Sequence, residues 1–345
     1  MKHLLLPLCC LLFFSCRAHP SFPQSGDPVA DRMLLYQRDN GGWPQDHGDA
    51  IDYSAELSEE ERAAIAQDKS REDATLDDHS TTREIDYLLE AFAETGKSAY
   101  RKAAIRGLEF LLTAQNAAGG WPQKYPDTSG YHGHITYNDN AMIDVMNLLF
   151  QVAGGEGKYG SVDQDLRARA AGAVQRGIAC ILNTQVVARN GQLTVWGAQH
   201  DRHTLAPAAA RKFEPATLSG SESVGIVRFL MRLENPDESI KRSIRAAVHF
   251  LDSVRIDGYR MDRIDDPSQP TGRDRIIVPD SSKTLWARFY ELDTFRPVFT
   301  GRDAVVHYRL EDIENERRMG YGFYGSWPRD LIRKDYPAWE ALIKD

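Results

Sequence analysis

Apolar residues fall at helical spacing in six stretches of the chain, and the stretches come in pairs. Ile85, Leu88, Leu89 and Phe92 form one stripe across residues 81–96, and Ile105, Leu108, Leu111 and Leu112 form its partner across 98–115. Steps of three and four place such residues on one face of a helix. The spacing recurs at Ile143, Met146, Leu149 and Phe150 in 140–152, then at Leu166, Val174, Ile178, Ile181 and Leu182 in 161–185. A third pair runs over 221–233, breaks at Asn235-Pro236, and resumes at Ile240, Ile244, Val248 and Leu251 in 238–254. Each pair reads as an αα-hairpin whose second helix hands over to a long polar segment. Three hairpins in a ring would collect those segments on one face, where loop function gathers. Thr81-Thr82-Arg83-Glu84 has the form of a capping box at the first inner helix, and Ser58-Glu59-Glu60-Glu61 opens a short surface helix. Beyond Arg255 the pattern is mixed, with strand-like pieces such as Arg275-Ile276-Ile277-Val278, and reads as wall of the same domain.

The segment Gln37-Arg38-Asp39-Asn40-Gly41-Gly42-Trp43-Pro44-Gln45 returns 78 residues later as Gln115 to Gln123. An internal repeat of this kind describes a helix end, a glycine turn, and a Trp packed back onto the helix just left. Both copies also fit Q-x-x-x-G-x-W, the repeat of triterpene cyclases, which build α/α barrels too. A cyclase would need an acidic protonating cluster in an aromatic-lined apolar cavity and no export signal. The polar loops and the N-terminus speak against it. Lys2 and His3 open a short apolar run, Leu4 to Phe14, closed by Ser15-Cys16. That run is too short to span a membrane and has the form of a secretory leader. The Ser15-Cys16 junction resembles a lipobox, with Cys16 as the lipidated terminus, although Phe precedes it. The expected organisation is a leader over 1–16, a linker over 17–32 and one catalytic domain over 33–345. The expected destination is secretion or the periplasm, with an outer-membrane lipid anchor favoured at Cys16. Only Cys16 and Cys180 survive leader removal, so there is neither a disulfide framework nor zinc spacing. A formal charge of −8 argues against nucleic acid as a partner. Any anionic substrate must be held by local cations or a bound metal.

Candidate chemistry lies at the starts of the inner helices. Asp77 ends an acidic stretch before the first, and Asp139, in Thr136-Tyr137-Asn138-Asp139-Asn140, precedes the second. Capping alone could explain either Asp. The third inner helix follows a long loop, Trp196 to Gly225, that is too rich in Pro and Gly to be one regular element. Arg211 stands at its centre and Glu222 near its end. Two carboxylates and a guanidinium are thus directed to one rim, and paired carboxylates suit a hard cation.

These stretches resemble family 10 polysaccharide lyases, which are pectate lyases. The resemblance rests on the two Gly-Gly-Trp-Pro-Gln segments, Tyr137-Asn138-Asp139-Asn140-Ala141-Met142, Trp196-Gly197-Ala198-Gln199-His200-Asp201 and Ala210-Arg211-Lys212-Phe213-Glu214. Leu218-Ser219-Gly220-Ser221-Glu222-Ser223, Ser282 to Tyr290, Arg296 to Asp303, Glu316 to Tyr321 and Tyr324-Gly325 extend it over about residues 33–335. It implies an all-α-dominated (α/α)3 toroid, in agreement with three hairpins, and calcium-dependent β-elimination on α-1,4-polygalacturonate; the expected state of the chain is a monomer. Position by position it makes Arg211 the base that takes the C5 proton and Asp139 a calcium ligand. Asp77 would face the reacting sugar and its ion. Arg288 and Arg302 would grip substrate carboxylates, with Asp78, Asn138, Lys124, His200 and Lys283 as further substrate contacts. Where the family reads Asp-Asn-Gly-Ala-Thr, this chain has Asp77-Asp78-His79-Ser80-Thr81. That departure leaves open a non-catalytic pectin-binding protein of the same fold. An Arg base is plausible only where other cations crowd it and the pH is high, because its pKa ordinarily exceeds ~12.

Overall fold

The computed structural model describes residues 26–343. The leader, Cys16 and the first part of the linker lie outside the described residues. Eight helices carry the architecture: α1 (Pro28–Tyr36), α2 (Glu59–Gln67), α3 (Thr82–Thr95), α4 (Ser98–Ala114), α5 (Ala141–Gly154), α6 (Gln164–Thr184), α7 (Glu222–Met231) and α8 (Glu238–Ser253). The pairs α3/α4, α5/α6 and α7/α8 are the three hairpins. Helices α3, α5 and α7 lie side by side on the inside, while α4, α6 and α8 follow one another outside, in an α/α toroid. The stripes read from the sequence face inward: Ile85, Leu88 and Leu89, Met146 and Leu149, and Ile244 and Leu251 are all fully buried.

The linker ends earlier than expected. Helix α1 starts at Pro28, capped by Asp27, whose carboxylate accepts from the N–H groups of Val29 and Ala30. It packs on α3 and α4, so the outer layer begins with α1 rather than with α4. Proline at the first turn and an Asp before it are the signals that mark this start.

One device joins each outer helix to the next. The Gln37 amide donates to the carbonyl of Gly41 and to that of Ala103 on α4, both at 2.8 Å. Gln115 repeats this on Gly119 and on Ala173 of α6, at 2.8 and 2.9 Å. Gln185 repeats it on Thr194 and on Ser243 of α8, at 2.7 and 3.0 Å. The following Trp then turns back. Indole N–H groups of Trp43, Trp121, Trp196 and Trp286 donate to the carbonyls of Met33, Leu111, Ile181 and Leu251, at 2.8, 2.8, 2.7 and 2.6 Å. All four rings are fully buried. The twofold repeat of the sequence is therefore fourfold in its tryptophans. Gly41 and Gly119 hold left-handed φ angles of 98° and 89°, and a Cβ there would lie 2.4 and 2.3 Å from the carbonyl oxygens of Arg106 and Arg176.

The carbonyl of each of the first three tryptophans receives the segment that enters an inner helix. Thr75 N–H donates to Trp43, Thr136 to Trp121 and Ser219 to Trp196, at 2.9, 3.0 and 2.7 Å. This face carries short antiparallel pairs, β1 (Ile135–Thr136) with β2 (Gln199–His200), and β3 (Leu218–Ser219) with Phe289–Tyr290. In a two-stranded ribbon of β4 (Ile256–Asp265) and β5 (Arg273–Ala287), the second strand runs on through Trp286 and so delivers Arg288 to the same face. The Ser58 capping box forms with Glu61, and none of α2 is buried. The Thr81 box does not form. Thr81 has φ 70° and makes no cap, because its hydroxyl is spent on the carbonyl of Thr75 and the N–H of Trp43.

A matched glycine pair on α6 checks the packing. A Cβ on Gly177 would meet Met146 Sδ at 2.2 Å and Trp121 Cζ3 at 3.2 Å, whereas the nearest atom to one on Gly172 is Arg176 Nη1 at 3.5 Å. Gly177→Ala is expected to lower unfolding free energy by about 1–3 kcal/mol through overpacking. Gly172→Ala is expected to raise it by up to about 1 kcal/mol through helix propensity. Urea unfolding of both variants reads the signs; two equal changes would contradict this packing.

Candidate active site

The three entering segments place chemically equivalent positions together. Three residues beyond Thr75, Thr136 and Ser219 stand Asp78, Asp139 and Glu222. Asp78 (φ 44°, ψ 47°) and Asp139 (φ 48°, ψ 30°) hold the same left-handed conformation in the middle of a short 3₁₀ turn. Asp tolerates that conformation better than most residues. The structural partner of Asp139 is therefore Asp78, and Asp77 corresponds to Asn138. Capping does not account for these residues: neither Thr81 nor Asn140, which occupy the N-cap positions, uses its side chain as a cap.

Oxygens of Asp77, Asp78 and Asp139 all lie within 4.8 Å of one another. The residues two after the tryptophans serve them. Gln45 donates to Asp78 at 2.9 Å and Gln123 to Asp77 at 2.5 Å, and Arg288 donates to Asp139 at 2.9 Å. His132 Nδ1 fixes Gln123 by donating to its carbonyl oxygen at 3.0 Å, which leaves the amide N–H to face Asp77. Arg288 also pairs with buried Glu222 and lies on the ring of Tyr321, 4.8 Å from its centre. Burial above all, then the charges of Asp78 and Asp139, push the Asp77 carboxyl up to about 6 against the hydrogen bond from Gln123. Asp78 is raised by burial first and by Asp139 next. One oxygen of Asp77 is enclosed and has no hydrogen-bond partner. A crowded, oxygen-only donor set with an unsatisfied carboxylate oxygen fits a hard divalent cation, which would relieve each of these penalties.

A second cluster is cationic. Phe213 is buried, and guanidinium groups of Arg211, Arg302 and Arg317 lie 5.2, 4.9 and 4.8 Å from its ring centre. Arg211 is held by Glu214 in a two-point pair, Nε to Oε2 at 2.9 Å and Nη2 to Oε1 at 2.5 Å. That pairing, followed by burial in the opposite sense, keeps its pKa above the usual arginine value. Arg302 pairs with Glu316 at 2.6 Å. Arg317 is pushed down, by burial first and also by Arg302 and Arg211. Two tyrosines link the clusters: Tyr131 feels the charges of Arg211, Glu214 and Asp77, and Tyr321 those of Arg288, Glu222, Asp139 and Glu214. A small cleft lined by Asn138, Ala198, Gln199, Glu214, Thr300 and Tyr321 borders both, through the neighbour of Asp139 and the partner of Arg211.

The chain matches the family described as pectic acid lyase over residues 37–332. It belongs to that family. Two structures of a family 10 polysaccharide lyase from Cellvibrio cellulosa resemble it. A mutant in complex with trigalacturonic acid is 32% identical, with a TM-score of 0.79 over 90% of this chain and 92% of that one. The other structure, also 32% identical, has a TM-score of 0.78 over 90% and 91%. No match is found among curated proteins. The protein is a polysaccharide lyase, and the cyclase alternative falls; the Q-x-x-x-G-x-W repeat is the joint between outer helices.

For this lyase, the structure brings Asp77, Asp78, Asn138, Asp139 and Arg288 into one cluster and Arg211 and Arg302 into the other. Lys124 reaches the same face through the bridge between its backbone and Thr75. His200 is different. It is wholly buried, donates through Nδ1 to Leu205 and accepts the Gly197 N–H at Nε2, both at 2.9 Å, and burial pushes it down to about 4. Both ring nitrogens are occupied, so it holds the loop rather than a sugar. Lys283 is exposed on β5, four residues before the strand's end and thus roughly 13 Å away at 3.3 Å per residue. His79 sits at φ 62° and turns to Asp144 on α5, 2.7 Å away, leaving the carboxylates to Asp78. Sequence reasoning missed Gln45, Gln123, His132, Glu222 as a site carboxylate, and Arg317. The repeat carried the signal for the two glutamines: its last residue lies outside the Trp joint.

The raised carboxyl of Asp77 makes metal-free stability depend on pH. Between the ordinary Asp value near 4 and about 6 the folded chain binds the extra proton. The stability that proton gives is complete below pH ~4 and is lost as pH rises through about 6. With excess chelator, the wild type is expected to lose about 2 kcal/mol more than Asp77→Asn between pH 4 and pH 7. Parallel urea curves for the two would refute the shift.

Proposed function

We propose that the protein is a calcium-dependent pectate lyase. It cleaves α-1,4-polygalacturonate by anti β-elimination and leaves 4,5-unsaturated oligogalacturonates. One observation supports this reading above the others: an oxygen-only carboxylate cluster and a guanidinium cluster lie near enough that Tyr131 and Tyr321 feel charges of both. A galacturonate unit asks for both. Its carboxylate needs cations, and its C5 hydrogen, next to that carboxylate, is a very weak acid.

Asp77, Asp78 and Asp139 would hold calcium, which when bound supplies Lewis-acid withdrawal of charge from the uronate carboxylate. Asp78 adds a third carboxylate where the family pattern has an amide. Arg288 keeps Asp139 and Glu222 in place and offsets part of their charge. Arg302 can grip a further uronate with its planar fork. Arg211 takes the C5 proton. Glu214 opposes this by holding Arg211 protonated, and the positive charges of Arg302 and Arg317 favour it. Anti elimination then breaks the C4–O4 bond of the same uronate as the C4–C5 double bond forms, and the glycosidic oxygen departs on C1 of the neighbouring sugar, taking a proton from solvent. The leader over 1–16 and lipidation at Cys16 would bring the lyase to a polymer found outside the cell.

Incubation with polygalacturonate should raise absorbance in the unsaturated-uronide band, more strongly at alkaline pH. Excess chelator should abolish the signal and added calcium restore it; full activity in chelator would remove the metal from the reading. Arg211→Lys keeps the charge but moves the nitrogen, and should lose about 10²–10⁴ in kcat. Retention of most turnover with an unaltered pH profile would reject Arg211 as the base. In a Gram-negative host fed labelled palmitate, the wild type should carry label and Cys16→Ala should not. An unlabelled wild type would leave plain secretion.

A further inference from the structure

Arg317 is the one member of the arginine cluster with no carboxylate of its own. Arg211 has Glu214, Arg302 has Glu316 and Arg288 has Asp139 with Glu222. Among the described residues Arg317 forms no ion pair, although its side chain is buried. Its hydrogen bonding amounts to a long contact from Nε to the Thr300 carbonyl, 3.4 Å. Three rings surround it instead: Phe213 at 4.8 Å, Tyr321 at 4.9 Å and Phe323 at 5.5 Å from the guanidinium carbon. Aromatic faces stabilise the cation but satisfy none of its five N–H donors. In a cluster where every other guanidinium has its carboxylate, Arg317 is the one free to receive one.

That partner is adjacent. Glu214 follows Phe213 in the chain, clamps Arg211 against one part of the ring, and its charge reaches Arg317 against another. A uronate carboxylate competes with Glu214 for the same fork of Arg211, and two carboxylates cannot share it without repulsion. We propose that Glu214 passes from Arg211 to Arg317 when an oligogalacturonate carboxylate enters the cleft, so that Arg317 is the positioning residue that releases Arg211. The count of ion pairs then rises from one to two: Arg211–Glu214 and an unpaired Arg317 become Arg211–uronate and Arg317–Glu214. Phe213 stays in place as the surface on which the exchange occurs. Arg211 thus exchanges the carboxylate of Glu214 for that of the substrate and keeps the neighbouring cations. This inference rests on the lyase reading for its ligand alone.

The test is a double-mutant cycle on binding, read by calorimetry with trigalacturonate and calcium at pH 6, where an arginine base turns over slowly. Arg317→Met should weaken Kd about tenfold in the wild-type background, because Glu214 has nowhere to go. In the Glu214→Gln background the same change should weaken Kd less than twofold. Equal losses in the two backgrounds would mean that Arg317 contacts the sugar directly or only supports the fold, and would overturn the exchange. Should Arg317→Met fail to fold, Arg317→Lys replaces it. A lysine can still receive Glu214, so its Kd should remain within threefold of wild type, and a tenfold loss would overturn the proposal. Trigalacturonate binding without unsaturated product would remove the lyase reading and leave the cycle intact; no binding by the wild type would remove both.

Discussion

The joint between outer helices is the constraint from which the rest of the structure follows. A glutamine amide ties the end of one helix to the body of the next, and a buried Trp returns to the helix just left. All of these hydrogen bonds are buried except the two of half-buried Gln115, so a missing partner would leave a polar group unsatisfied, at about 1–3 kcal/mol. The joint therefore specifies spacing as well as adding stability. It sets the distance between helices α1, α4, α6 and α8, and through the carbonyls of Trp43, Trp121 and Trp196 it also sets where each inner helix begins. Asp78, Asp139 and Glu222 converge because they occupy one position in three copies of this arrangement.

Convergence of like charges is unfavourable by itself, and the protein meets it with neutral and cationic donors. Gln45 and Gln123 face two of the carboxylates, and Arg288 lies between the other two. The amides orient without neutralising, so burial, and after it the charges of Asp78 and Asp139, keep the Asp77 carboxyl above the ordinary Asp range. Across the cleft the signs reverse. Three arginines surround one phenylalanine ring, and Glu214 and Glu316 neutralise two of them. An overall charge of −8 thus coexists with a locally basic wall, which is how an acidic protein can receive a polyanion.

Much of this was legible in the sequence. Helical stripes gave the hairpins, since burial on one face leaves a period that no other element shares. The Trp repeat was visible twice; its third and fourth copies were hidden because Trp196 and Trp286 lack the Gly-Gly before and the Pro after. The start of α1 was missed because a short helix after a Ser- and Pro-containing stretch reads as linker until its packing is known. The Thr81 capping box failed for a tertiary reason, as the Trp joint claimed its hydroxyl first. His200 misled in the opposite way. It lies in a family-like motif within a polar loop, and only coordinates reveal that both nitrogens face backbone. Which acid matches Asp139 was likewise a question of backbone angles, invisible to a reading by adjacency.

The residue two places after each Trp occupies a comparable slot on the loop face, filled by Gln45, Gln123, Ala198 and Arg288. Three of these side chains reach a carboxylate, whereas Ala198 reaches nothing and borders the cleft. Its methyl group leaves that quadrant without a donor. The architecture thus works as a four-place register in which a single side chain per copy decides whether a quadrant is closed by a donor or left open. A lineage could move, widen or close its binding groove by rewriting one letter of the register, without disturbing a helix.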